Sequence, residues 1–287
     1  MSDGARRAAV LAAPALWLGL FFLAPFAIVL GISVAEQTLG IPPFAPLLSH
    51  GRLDVVADNY ALLTSDPLYA TAYLDSVLYA AVATALALLV GYPMAYAVVR
   101  APKRWRGVLL LLIILPFWTS FLIRVYAWIG LLQNNGLINS ALLALGLIHA
   151  PLPLLNTPFA VQVGLVYSYL PFMVLPLYAA LEKLDPALIE AAFDLGCRPS
   201  TAFFRVTLPL SLPGIIAGVL LVFIPMCGEF VIPDLLGGPS TLMIGKVLWD
   251  EFFTNRDWPM ASAVAIAMLV FLLVPMGLLR KYLAGTE

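Results

Sequence analysis

Four ionisable side chains sit in stretches of sequence that are otherwise apolar: Asp75, Arg124, Glu229 and Asp234. A charge carried into hydrocarbon costs about 3 kcal/mol or more, so such residues are candidates for function. Glu229 and Asp234 stand among Pro225, Gly228, Pro233 and the Gly237-Gly238 pair, all of which interrupt helices. An interrupted helix at membrane depth is tolerated where it lines a cavity. Carboxylates in such a slot, with Phe230, Trp249, Tyr126 or Trp128 close by, would hold a desolvated ammonium by charge pairing and cation–π contact. Trp118, Tyr126, Trp128 and Trp258 also fit the aromatic belt at the membrane boundary, the simpler reading for them. Along uninterrupted helices Asp75, Arg124 and Glu229 fall at comparable depth, with Glu229 about 27 Å from Ser211 at roughly 1.5 Å per residue. Arg124 is then expected to pair with Asp75 or Glu229 and to hold the path shut until a cation competes for the carboxylate. The alternative is that it snorkels to the boundary beside Tyr126 and Trp128.

Other chemistries find no residues. Gly245-Lys246 lacks the rest of a phosphate-binding loop, with Ser240 at the position of its first glycine, so the chain has no cradle for its own ATP. His50 and His149 are the only histidines and both are predicted outside the membrane, which leaves no nucleophile and base in the bilayer. Cys197 and Cys227 lie in different environments and form neither a disulfide nor a metal site. No basic run interleaved with aromatics points to nucleic acid.

The elements that must position these residues are membrane helices. With 62% hydrophobic and 11% charged residues among 287, the chain is an integral membrane protein. Six segments are long enough to cross, about 9–35, 69–99, 107–132, 159–181, 211–236 and 259–279. The apolar run at 9–35 has no cleavage site and reads as an uncleaved span. Leu137 to Ile148 is too short and is predicted to be a surface or re-entrant helix. Eleven cations (Arg6, Arg7, Arg100, Lys103, Arg104, Arg106, Lys183, Arg198, Arg205, Arg280, Lys281) fall on one side against Arg52, Lys246 and Arg256 on the other. The positive-inside rule makes the first side cytoplasmic and puts both termini there. The first outer loop, with Glu36, Asp54, Asp58 and Asp66 against Arg52, is acidic and suits a cationic ligand as well as plain solvation. Gly214 and Gly218 have the small-residue spacing that lets membrane helices approach.

One long polar connection faces the cytoplasm, Leu184 to Gly214. Asp185 is a helix N-cap, Pro186 a first-turn residue, and Gly196 stands where a left-handed C-cap belongs, so a helix is predicted over Ala187–Leu195. A second, over Ser200–Val206, should stop before Leu208-Pro209. Glu190-Ala191-Ala192, then Gly196, then Val206-x-Leu208-Pro209, resembles the EAA loop of permease subunits of ATP-binding-cassette importers, with Val206 in place of Ile. The stretches 115–126, 228–238 and 255–259 resemble the spermidine/putrescine permeases, closest to the putrescine-importer subunit, and the similarity covers about 10–282.

That resemblance implies an all-α, six-span type I importer permease in the bacterial inner membrane, with an N-terminal helix and outer loop over 1–68 and a permease core over 69–280. It implies that the loop at 185–209, through Glu190, Ala191, Ala192, Gly196, Leu208 and Pro209, sits in a groove of a cytoplasmic ATPase. It implies a second homologous permease subunit, two copies of that ATPase, which bind the ATP and magnesium, and a periplasmic polyamine-binding protein. Glu229, Phe230, Asp234, Trp249, Asp75 and Arg124 are the expected substrate path for putrescine or spermidine; Phe230 and Asp234 match an aromatic and an aspartate of the spermidine relatives, and Glu229 departs from them. The same scaffold moving another organic cation or an amino-acid derivative is the alternative, and an ion-driven secondary transporter is a more remote one. No cofactor or metal is expected in this chain.

Overall fold

The computed structural model describes residues 3–49, 52–53, 55–239 and 241–284, with side chains over 10–47, 55–239 and 241–273. His50, Asp54 and Ser240 lie outside the described residues, as do the side chains of Arg6, Arg7, Arg52, Arg280 and Lys281. The chain forms two compact units, Met1–Tyr73 with Val247–Glu287, and Leu74–Lys246.

In the first unit α1 (Asp3–Leu18) runs through a π-turn (Gly19–Leu23) into α2 (Ala24–Ser33). The wide turn falls just before Pro25, whose ring would otherwise press on the carbonyl four residues back. The extended structure among the described residues is an antiparallel pair of two-residue strands, β1 (Leu48–Ser49) with β2 (Arg52–Leu53), and one bridge from Gln37 to Phe44. Asn59, in α3 (Asp58–Ser65), donates to the carbonyls of Ser33 and Ala35 at 3.0 Å each and fastens α3 to the end of α2. The hydroxyls of Tyr69 and Tyr73, at the start of α4 (Pro67–Arg100), donate to Glu251 Oε1 at 2.8 Å and to the Val264 carbonyl at 2.7 Å.

The second unit holds the rest of α4, then α5 (Lys103–Ile114), α6 (Phe121–Leu132), α7 (Leu137–Ala144) and α8 (Pro158–Glu182). The polar connection follows as α9 (Pro186–Asp194), α10 (Pro199–Ala202), a π-turn (Phe203–Thr207) and α11 (Leu208–Leu210). Then come α12 (Leu212–Cys227), α13 (Val231–Leu236) and the start of α14 (Ile244–Trp249), while α15 (Trp258–Ala284) belongs to the first unit and packs there on α2 and α3. The centre of the second unit is α12 laid along α8, with Leu165, Met173, Leu177, Val222 and Met226 sealed between them and their neighbours. Gly214 and Gly218 are what allow it. A β-carbon on Gly214 would strike Ala180 and stand 2.9 Å from the Pro176 carbonyl, and one on Gly218 would stand 2.8 Å from Met173 sulfur.

Three helices are long and apolar enough to cross a membrane alone: Val10–Ser33, Pro67–Arg100 and Pro158–Glu182. Two bent pairs bring the number to five, and within the described side chains the last apolar helix, Trp258–Leu273, is shorter. Two expected straight spans are broken. The segment 107–132 is cut by a 3-10 turn at Leu115–Trp118, beyond which Lys103–Trp118 and Phe121–Ala144 meet at 88°. Here Pro116 supplies no N–H, and the Thr119 hydroxyl takes the Pro116 carbonyl at 2.7 Å, closing the turn rather than extending the helix. The segment 211–236 stops at Cys227, so Glu229 lies beyond the end of α12 and its depth cannot be counted along that helix.

Candidate functional site

The break after α12 is where the second unit places its buried carboxylate. Pro225 removes one N–H from the last turn, Gly228 ends the helix, and Glu229 and Phe230 are non-helical before α13 begins. Glu229 is 8% exposed. Its Oε1 accepts the backbone N–H groups of Phe230 at 3.2 Å and Val231 at 3.0 Å, and its Oε2 accepts the hydroxyl of Tyr169 from α8 at 2.6 Å. The carboxylate thus satisfies two of the N–H groups that open α13. A carboxylate has about four acceptor positions, so three filled ones leave room for a further donor. Tyr169 stands 6.2 Å from Phe172, ring to ring, and gives the site an aromatic wall. The sequence reading missed Tyr169; its signal was a hydroxyl, with Ser168, in the middle of an apolar helix.

Asp234, one turn on, is not free. Its Oδ1 meets Lys246 Nζ at 2.8 Å, with the side chains 43% and 25% exposed. Asp75 is half-buried on α4, and among the described residues it has no hydrogen bond or ion pair. Trp249 lies in the first unit, where its ring stacks on Phe253 at 4.1 Å, and Phe230 is half-buried in the second.

Arg124 departs from both expectations. No ion pair with Asp75 or Glu229 forms among the described residues, and at 8% exposure the side chain does not snorkel. Its guanidinium instead lies over Phe117 at 4.5 Å and Phe121 at 5.7 Å. The rings come from either side of the Thr119-Ser120 break, and the bend is what folds them back onto the arginine. Phe117 in turn meets Phe172 edge-on at 5.0 Å, so aromatic rings stand between this cation and the Glu229–Tyr169 pair.

The polar connection is built as an exposed, capped corner. Asp185 accepts the Ala187 N–H at 3.0 Å and starts α9. At the other end Gly196 has φ +82°, and the N–H groups of Gly196 and Cys197 return to the carbonyls of Phe193 at 2.8 Å and Ala192 at 3.0 Å. This is the two-bond closure that needs a left-handed residue, which explains the glycine at that spacing. Glu190 and Ala191 are exposed and Ala192 is buried. Leu188, Phe193, Leu195 and Phe204 are all exposed, a large apolar surface for a polar loop. The helix expected to stop before Leu208-Pro209 continues instead through the π-turn Phe203–Thr207 into α11, whose widened turn makes room for Pro209 as the earlier one does for Pro25. Leu208 is half-buried and Pro209 exposed.

A mainly helical chain with broken apolar helices of membrane length and an exposed capped corner is built as a polytopic membrane subunit. Residues 87–284 match the family model described as binding-protein-dependent transport system inner membrane component. The chain is 44% identical over 256 residues to the spermidine/putrescine transport system permease protein PotB of Haemophilus influenzae, covering 89% of this chain and 86% of that one. It is 42% identical over 254 residues to PotB of Escherichia coli, covering 88% and 89%. Among solved structures, a bacterial alginate ABC transporter in complex with an alginate pentasaccharide-bound periplasmic protein superposes with a TM-score of 0.66 at 19% identity, covering 95% of this chain and 93% of that chain. The chain belongs to the binding-protein-dependent transport system inner membrane components, the permease subunits of ATP-binding-cassette importers.

Proposed function

We propose that this chain is a permease subunit of an ATP-driven importer for polyamines, with putrescine as its solute. The observation that carries the reading is the 44% identity, over 89% of the chain, to a spermidine/putrescine permease. The chemistry at the break supports it, because a buried carboxylate fixed by three donors beside aromatic rings suits a primary ammonium better than an anion or a sugar. Putrescine, with two charges, is assigned over spermidine, with three. Asp234 is already paired with Lys246, whereas Glu229, at the break between α12 and α13, and Asp75, on α4, have no cation within 4.0 Å among the described residues.

Six spans, a second homologous permease, a pair of ATPases on the α9–α11 corner and a periplasmic binding protein complete the proposed importer. The apolar residues exposed on that corner, with Glu190 among them, are its proposed contact with the ATPase. ATP-driven closure of the ATPases then draws the corners together and opens the path outward. The test is reconstitution of the purified complex in liposomes. Putrescine-loaded binding protein should stimulate ATP hydrolysis in the absence of any ion gradient. Uptake that follows an imposed ion gradient and ignores ATP would overturn the reading, and stimulation by another organic cation alone would overturn the solute.

A further inference from the structure

We infer that the cavity holding Arg124 is a socket for a carboxylate carried on a membrane helix of the partner permease. A cavity of ≈ 480 Å³ opens in the second unit, lined by Met94, Leu109, Leu112, Tyr167, Leu170 and Pro171 among others, with Arg124 as its charged group. Arg124 is 8% exposed, its Nε is sealed without a hydrogen-bond partner, and no carboxylate lies within 4.0 Å of it among the described residues. The two phenylalanine rings offset part of the cost of burying that charge, and a cation held in hydrocarbon calls for an anion besides.

Depth decides which anion. The cavity runs from Ala97 and Val98 near the end of α4 to Tyr167 and Pro171 midway along α8, and Phe117, which lies under the guanidinium and against Phe172, holds the charge itself level with the middle of that 25-residue helix. Lipid phosphates lie roughly 15 Å away in either leaflet, half the thickness of the core. A diammonium solute is repelled. An Asp or Glu side chain on an apolar helix reaches this depth, and the rest of that helix fills the apolar walls. The inference rests on the proposed pairing with a second membrane subunit, and it adds the residue that fixes the pairing. Arg124 would favour a partner helix bearing one acid at this height and reject one bearing a cation.

The test uses the full chain expressed with its cognate membrane subunit. A photo-crosslinking phenylalanine analogue at Leu112 should capture a peptide of that subunit with an Asp or Glu within about one helical turn, roughly four residues. Arg124→Glu should weaken the association of the two chains by about a hundredfold or more, as expected when one charge of a buried pair is stranded. Changing the captured acid to Lys in that background should restore it. Should Arg124→Glu fail to insert, Arg124→Met and the neutralised acid are compared singly and together, and the double variant should associate more tightly than either single. Capture of lipid, capture of a peptide without an acid, or losses that merely add would overturn the inference. Failure of the two chains to associate at all, with Arg124 intact, would instead overturn the reading of the chain as half of a permease pair.

Discussion

At Glu229 one carboxylate opens α13, and the proposed function has it receive a cation as well. The two roles separate by substitution. Glu229→Gln keeps an oxygen for the Phe230 and Val231 N–H groups, and the Tyr169 hydroxyl can turn to accept from the new amide. This variant should assemble normally and lose polyamine uptake, measured as initial rate in whole cells; uptake equal to the parent would remove the carboxylate from the path. Glu229→Ala also strips the helix start and should cost about 1 kcal/mol of stability, read as a fall in the melting temperature of the detergent-solubilised complex. That Glu229 would stand at a helix break was legible, because Pro225, Gly228 and Pro233 surround it in an apolar run. Its hydrogen-bond partner was not, since Tyr169 lies 60 residues away, and a hydroxyl in an apolar helix does not say which residue it meets. The Arg124 ion pair was misjudged for a related reason. Depth counted along straight helices put it level with Glu229, whereas both helices break before reaching their charge.

At the scale of elements, the polar corner of α9 to α11 was the most readable part of the chain, because caps are local chemistry. Asp185, Pro186 and Gly196 each state their position within a few residues, and the structure has α9 starting and ending on them. The π-turn before Pro209 was not readable, since a widened turn leaves no composition of its own. At Gly196 a β-carbon would meet nothing within 4 Å, so the penalty there is backbone conformation alone. Gly196→Asn, which tolerates the left-handed region, should therefore retain most ATPase coupling, while Gly196→Val should lose it. Equal activity in the two would show that the left-handed turn carries nothing. Gly214→Leu should fail differently, by forcing α12 off α8, and should abolish stable expression rather than coupling.

The start of α15 gives a pH prediction at the same scale. Burial pushes the Asp257 carboxyl above the usual carboxylate range, the Met260 N–H it accepts pulls it back, and the charge of Glu251 adds to the rise. A raised acid favours the folded state most below the ordinary value of about 3.9 and loses that contribution as pH rises through the raised one. The melting temperature of the parent minus that of Asp257→Asn should fall between about pH 4 and about pH 7. A difference that grows over this range would contradict the assignment.

Across the molecule, the charges of the second unit are held by different kinds of neighbour. Glu229 is held by neutral donors, Asp234 by Lys246, and Arg124 by rings, with Phe117 and Phe172 between the cation and the buried acid. Composition made the membrane class plain, and the spacing of the EAA-like loop made the family plain. The solute is written in a few lining residues whose neighbours are set by tertiary breaks, which is why it was the least legible part. The most direct measurement is accumulation of radiolabelled putrescine, with spermidine in parallel, in cells deleted of their own polyamine importers. These cells would express this chain with its cognate permease, ATPase and binding protein. ATP-dependent accumulation of putrescine in preference to spermidine is expected, lost in Glu229→Gln and in Gly196→Val. An assembled, membrane-inserted complex that accumulates neither polyamine would contradict it.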